Sequence, residues 1–384
     1  VKVIKSYKYR IYPNTKQEIM LAKTFGCVRY YWNDLVATFN SYDAKLNRTP
    51  TFKTSTDLRN ELDWINEVSA VALQQKAKDF DNTRRQYFSK SRKVKIGKLS
   101  FRKKGGSQSF RLNNQAFRLI DNRIHLQKVG RVKIIKHREI PADSKLLSVT
   151  ISKNSSCQYF ASINFETDQL SKSETGKDVG LDLGIKTFST QSDGIEIGNP
   201  KYFSKNQAKL KRLQQHFARK TKGSNRREKC RLKIARLHQK IANQREWFLH
   251  NYSTQLVNNY DTIFIEDLAV SDMLESRLMS KQISDAGWSK FVGMLNYKAE
   301  WYGKTVHKVD RFYASSKTCS CGVKNTQLKL SDREWVCQSC GTIHDRDKLA
   351  AQNILKEGRR SLGDLTGVEM EVTKSEKRLK AMLL

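Results

Sequence analysis

Four cysteines confined to residues 319–340 constrain this chain more than any other feature. They form two pairs, Cys319-Ser320-Cys321 and Cys337-Gln338-Ser339-Cys340, fifteen residues apart, followed by Gly322 and Gly341. Two tight turns of this kind bring four thiolates to the corners of a tetrahedron, which is the donor set of a closed, structural Zn²⁺ site. The other three cysteines, Cys27, Cys157 and Cys230, are scattered. The pattern is that of a metal ribbon in a reducing cytosol and not of a disulfide framework. Metal binding would supply much of the ribbon's folding energy, about 10 kcal/mol or more by analogy with zinc-finger peptides. His344 lies close by in the sequence and reads as a hydrogen-bonded surface histidine rather than a fifth ligand.

Three carboxylates stand where carboxylates are costly. Asp182 sits inside the apolar run GLDLG, Glu266 closes the run IFIE, and Asp347 opens a helical segment just after the cysteines. A carboxylate in a buried strand costs several kcal/mol unless it is paired or ligates a metal. Each has an ordinary explanation taken singly: a turn for Asp182, a helix cap for Asp347. Taken in this order, strand-Asp, strand-Glu and helix-Asp make the donor set that two-metal phosphodiester hydrolysis needs, with ions about 3.5–4 Å apart. Two Mg²⁺ ions are expected, with Mn²⁺ able to substitute; Mg²⁺ takes oxygen ligands and keeps several waters, so few carboxylates suffice. Asp267 and Asp345 are out of phase with this set and read as supporting or solvent-facing groups.

The charge names the partner class. Lys and Arg number 72 against 38 Asp and Glu, a net +34, in a chain that is 38% hydrophobic and 10% aromatic. A folded chain with so much self-repulsion makes sense when a polyanion neutralises it. Residues 201–246 hold 16 Lys and Arg against two acids, Glu228 and Glu246, with Leu210, Leu213, Phe217, Ile234, Leu237 and Ile241 at helical spacing. They read as two basic helices facing phosphates, with Lys209, Arg212, Arg219, Lys222, Arg226, Arg227, Lys233, Arg236 and Lys240 as contacts. Arg102, Lys103 and Lys104 form a second basic turn. Tyr30, Tyr31 and Trp32 offer rings for base stacking, although such aromatics are more often core. No apolar run is long enough to span a bilayer and no signal-peptide pattern opens the chain, so no membrane partner is expected and the expected place is the prokaryotic cytosol or nucleoid.

Along the chain, residues 2–12 alternate as a strand, and Pro13-Asn14-Thr15 reads as a turn and helix cap. Helical spacing then runs to about residue 92. Residues 97–167 change to short alternating segments, expected to form a small antiparallel barrel that the first strand joins, with the helices as an insertion. After a polar linker come the apolar strands carrying Asp182 and Glu266, a helix over 284–302, the cysteines, and a helix over 346–358.

The succession GLDLGIKTFST, IFIEDLAV, QISDAGWSKF, the paired-cysteine ribbon with HDRD, and AAQNIL resembles the TnpB family, the insertion-sequence-encoded nucleases related to type V CRISPR effectors. The match runs from about residue 2 to 357 and includes YRIYPN, the ALQ segment at 72–74 and FRKK. The resemblance implies an α+β, multidomain fold. A wedge β-barrel (1–13 and 96–170) would carry a helical recognition insert (14–95). An RNase H-like RuvC α/β nuclease (176–314 and 342–358) would be interrupted by a zinc ribbon (315–341), with a mobile tail over 359–384. It implies a transposon-derived guide RNA, one protein per RNA, and a short motif read beside a double-stranded DNA target cut by a single RuvC site. Carried over, the catalytic residues fall on Asp182, Glu266 and Asp347, and the motif-reading surface on Gln74, Asn113 and Asn114. Two positions depart from the family: Leu349 stands where an Asn is usual, and the first cysteine pair is one residue short. A nuclease-dead RNA-guided repressor and a conventional transposase are the competing readings. The intact carboxylate trio argues against the first, and the lack of a recognisable transposase DNA-binding module argues against the second.

Overall fold

The structure is a computed structural model and describes residues 2–41, 50–89, 97, 99–275, 279–329 and 332–363. It divides into two compact units, Val1–Asp168 and Gln169–Leu384.

The first unit is built on a seven-stranded antiparallel sheet, β1 (Lys2–Tyr12), β2 (Gln108–Asn113), β3 (Phe117–Ile120), β4 (Arg123–Leu126), β5 (Gly130–Ile135), β6 (Lys145–Lys153) and β7 (Tyr159–Asp168). The spatial order is β2-β6-β7-β1-β5-β4-β3. Its edge strands, β2 and β3, are consecutive in the chain, so the short turn between them nearly closes the sheet. Period-two alternation explains the packing: Tyr9 and Ile11 of β1, Val149 and Ile151 of β6, and Ala161, Ile163 and Phe165 of β7 all point inward and are buried. The chain leaves β1 for α1 (Thr15–Asn40), where Asn14 and Gln17 form a reciprocal capping box. Leu21, Phe25, Val28, Tyr31, Trp32 and Leu35 make its buried stripe. Helices α2 (Ser55–Glu61) and α3 (Ala70–Phe88) complete the unit, and α3 packs on β2.

The second unit centres on a five-stranded mixed sheet of β8 (Asp178–Leu183), β9 (Thr187–Gln191), β10 (Glu196–Gly198), β11 (Thr262–Glu266) and β12 (Thr305–Val309), in the order β10-β9-β8-β11-β12. β8, β11 and β12 run parallel; β9 pairs antiparallel with β8, and β10 antiparallel with β9. Helices follow: α4 (Tyr202–Ala218), α5 (Asn225–Asn259), α6 (Val270–Glu275), α7 (Ser280–Ala286), α8 (Trp288–Tyr302) and α9 (346–363). Ile263, Phe264 and Ile265 of β11 are all buried, as expected of a strand covered on both faces. Ile263 and Ile265 join Leu249, Tyr252 and Leu256 of α5 and Phe291 and Leu295 of α8; Phe264 joins Val309 and Ile354 on the other side. A hairpin of β13 (Glu334–Val336) and β14 (Ile343–Asp345) carries part of the ribbon.

Three expectations are corrected. The helix over 284–302 is two helices broken at Gly287, whose φ of +71° no helix continues through. The final helix runs past Gly358 to 363. Glycine is needed there because a Cβ would lie 2.1 Å from the Phe264 ring, so the residue marks close packing and not a helix end. Residues 359–363, expected in a mobile tail, therefore belong to α9, and 364–384 lie outside the described residues, as do 42–49 and 90–95 of the helical block.

Candidate active site

The three carboxylates come from three elements that close packing forces together. β8 and β11 are parallel neighbours paired through Leu181 and Ile265, so Asp182 and Glu266 leave the sheet from adjacent strands at the same end. α9 then lies against β8 so closely that a Cβ on Gly180 would come within 2.2 Å of the Ala351 carbonyl oxygen. Only glycine permits that approach, and it brings Asp347, in the first turn of α9, to the same place. Asp345 caps that turn: its Oδ1 accepts from the Asp347 and Lys348 amides, both at 3.0 Å. Asp267 faces away into ion pairs with Lys308 and Arg311, each at 2.8 Å.

Asp182 reports the crowding. Burial first, then the charges of Glu266 and Asp347, push its carboxyl up to about 7, against the opposing pull of Arg346 and Arg333. A buried carboxyl raised by two neighbouring carboxylates marks a site short of positive charge, which is what a divalent cation supplies. Around them stand groups that sequence reasoning missed. The Ser315 hydroxyl donates to Glu266 Oε1. Arg333 Nη1 lies 3.1 Å from Asp347 Oδ2. Neither residue sits in an unusual sequence context, so no signal marked them.

The four cysteines meet as their spacing predicts. Their Sγ atoms all lie within 4.8 Å of one another, including that of Cys321 in the shortened first pair. Four converging thiols fit a tetrahedral metal of thiolate preference. Hydrogen bonds from the Thr342 hydroxyl and amide lower the Cys340 thiol to about 6, favouring the ligating form. His344 is not a surface residue: it is 8% exposed, its Nε2 lies 3.0 Å from Cys319 Sγ, and its ring packs against Trp335. Pairing with Trp335 across the β13–β14 hairpin turns it inward, onto the Cys319 sulfur.

The basic residues divide. Lys209 and Arg212 on α4, Arg219 and Lys222 in the turn, and Arg226, Lys233, Arg236 and Lys240 on α5 are exposed. Arg227 is not: it donates to the Lys220 and Phe217 carbonyls and stacks 4.0 Å from the Phe217 ring, closing the turn instead of facing solvent. The α4–α5 hairpin is tied to the rest of its unit by Asp285 of α7, which accepts from the Phe203 amide and pairs with Arg245 at 2.9 Å. In the first unit Arg102, Lys103 and Lys104 are all exposed, and Arg102 also stacks 4.1 Å over the Trp32 ring. Tyr31 and Trp32 are core rather than stacking platforms, and the exposed Tyr30 leans edge-on to Trp64. Gln74 is exposed on α3, Asn113 ends β2 and Asn114 begins the following turn.

Comparison with known proteins gives the same order of parts. Residues 162–277 match a family described as "Probable transposase", and residues 288–354 match a Cas12f1-like TNB domain. Residues 3–42 match a family described as a helix-turn-helix domain, although here they form one strand and one long helix. A Streptomyces pristinaespiralis protein named "Putative RNA-guided DNA endonuclease" is 36% identical, over 93% of this chain and 90% of its own length. The Escherichia coli K12 protein "Putative RNA-guided DNA endonuclease InsQ" is 30% identical over 93% of each. A cryo-EM structure of the Cas12f1-sgRNA-target DNA complex contains a chain of similar fold, with a TM-score of 0.53 at 12% identity, covering 92% of this chain and 98% of that one.

Proposed function

The chain belongs to the TnpB family, and on that premise we propose that it is an RNA-guided, divalent-metal-dependent endonuclease that cuts double-stranded DNA paired to its guide. Its partners are a transposon-derived guide RNA and target DNA. Among the described residues no helix is long and apolar enough to cross a membrane.

The observation that carries the catalytic reading is the convergence of Asp182, Glu266 and Asp347 from β8, β11 and α9, with the Asp182 carboxyl pushed to about 7. The β8–β12 sheet with helices on both faces is read as an RNase H-like RuvC nuclease. Asp182, Glu266 and Asp347 would hold the divalent ions, Mg²⁺ by preference and Mn²⁺ in its place. A pair of such ions stabilises the attacking and leaving oxygens of a displaced phosphate. Ser315 keeps one Glu266 oxygen oriented, and Arg333 pairs with Asp347, an ion pair with which a bound divalent ion would compete. The four cysteines would hold a structural Zn²⁺.

The exposed cations of the α4–α5 hairpin, with Arg102, Lys103 and Lys104, are read as phosphate contacts, and Gln74, Asn113 and Asn114 as the reader of the target-adjacent motif. Sequence specificity itself comes from guide–target pairing. Replacing Lys209 and Arg212 together by Gln is expected to lower the salt dependence of duplex binding by about two phosphate contacts, each worth about 0.9 in log–log slope.

The deciding experiment is cleavage of a plasmid library with one fixed target and randomised flanks. The protein is co-expressed with RNA from its flanking locus and assayed with Mg²⁺ or with chelator. Guide- and Mg²⁺-dependent cutting of plasmids that share one flank is the expected result. RNA-dependent binding without cutting would replace the nuclease reading by an RNA-guided repressor.

A further inference from the structure

Leu349 is two residues from Asp347 on α9, which turns it through about 200°, so the two side chains leave opposite faces of the helix. Leu349 is 4% exposed and packs with Cys319, Leu328, Trp335 and Cys337. These residues form the ribbon's whole buried apolar cluster among the described residues, and Leu349 is its one member from outside the ribbon segment. One turn further along, buried Asn353 donates to the Ser315 carbonyl at 2.7 Å and the Thr318 carbonyl at 2.6 Å. Ser315 in turn donates through its hydroxyl to Glu266. A continuous set of contacts therefore runs from two of the cysteines to the helix that carries Asp347, and from that helix to the residue that orients Glu266.

We infer that Leu349 and Asn353 are positioning residues that make the placement of Asp347 and Glu266 depend on the cysteine ribbon being folded around its metal. The inference rests on the nuclease reading of the three carboxylates. The physical reason is the size of the ribbon. A core of two thiol-bearing turns, Leu328 and Trp335 is too small to hold itself together without a metal. When it opens, Leu349 loses every apolar neighbour in that cluster, and the 315–318 segment, still held by Asn353, loses its support on the ribbon side. The Gly180 contact still fixes the opposite face of α9 to β8, so the helix is loosened at its catalytic end and not detached. This chain therefore couples ribbon and catalytic helix by packing.

The test uses the full chain with its guide RNA and measures Mn²⁺ binding by the resonance signal of the free ion. The protein is compared zinc-loaded and zinc-stripped, and as zinc-loaded Leu349→Ala, Leu349→Met and Asn353→Ala. Stripping zinc, Leu349→Ala and Asn353→Ala are each expected to weaken Mn²⁺ binding about 10–100-fold, the range seen when groups supporting metal ligands are removed. Leu349→Met, which keeps the volume, should restore it. Equal Mn²⁺ affinity with and without zinc overturns the inference. Should Leu349→Ala fail to retain zinc, Asn353→Ala decides, because it leaves the apolar cluster whole; unchanged Mn²⁺ binding in that variant also overturns the inference. Amide exchange over 346–355 separates the two levels of the argument. Faster exchange on zinc removal supports the coupling even if Asp182→Asn proves Mn²⁺ binding to lie elsewhere, and that second result would count against the nuclease reading instead.

Discussion

The two candidate ligand clusters of the second unit are assembled by opposite means. The cysteines come from two turns within residues 319–340, and their spacing alone brings four thiols within 4.8 Å. The carboxylates come from positions 182, 266 and 347, on two strands and a helix, and meet only because the sheet pairs β8 with β11 and Gly180 admits α9. The local cluster gains stability from the ion it would bind. The distributed cluster works against stability until an ion arrives, as the raised Asp182 carboxyl records. Structure-making metal sites are thus affordable in a short stretch, whereas a reactive site needs a fold already stable enough to hold like charges together.

The largest effect expected from breaking this contrast is on cutting. Glu266→Gln should reduce guide-dependent cleavage by about 10²–10³-fold or more, the scale of losing one transition-state stabiliser, while gel-shift binding of target DNA persists. Loss of binding together with cutting would show that Glu266 supports the fold. Next, Cys337→Ser should remove most of the metal-derived folding energy of the ribbon, about 10 kcal/mol in comparable small zinc domains. The expected readout is lost zinc stoichiometry and protease cleavage between 319 and 340, with the first unit intact. A ribbon that stays folded without zinc would erase the contrast.

Stability against pH sharpens the comparison. The folded-state value for Asp182, about 7, lies above its ordinary 3.8, so the folded protein holds the proton more tightly than the unfolded chain. This stabilising contribution is complete below about pH 3.8 and is lost as pH rises to about 7. Asp182→Asn should therefore stabilise the metal-free protein at neutral pH by about 2–4 kcal/mol, with the gain vanishing near pH 4 and shrinking when Mg²⁺ is added. Thermal unfolding of both proteins across that range measures it; a gain independent of pH would mean that the charge is not the cause. The smallest effect concerns the point where the clusters touch. Arg333→Gln should tighten Mn²⁺ binding to the resting protein about two- to fivefold, because a competing half-exposed ion pair is worth up to about 1 kcal/mol. Weaker binding would mark Arg333 as a group that builds the site instead.

Much of this was legible in the chain. Asp182 and Glu266 announced themselves as charges inside apolar runs, and the cysteine pairs by spacing and flanking glycines. The basic helices appeared where predicted, with α5 extending to Asn259. Other residues misled because their sequence context fitted two roles. Arg227 looked like a phosphate contact and closes a turn; Gly358 looked like a helix end and makes room for Phe264.

The sequence by itself determined which groups are present and the local geometries that spacing enforces: the four-thiol turns, the alternation of β1, β6 and β7, the capping box at Asn14. Only the tertiary structure decided which way Leu349 faces, that Arg333 meets Asp347, and that Ser315 holds Glu266. The reason is physical. Local spacing fixes backbone periodicity over a few residues, but a side chain's partner across the fold depends on how closely two elements approach. Here that approach was set by the missing side chains of Gly180 and Gly358, whose consequence appears only when strand and helix are already packed.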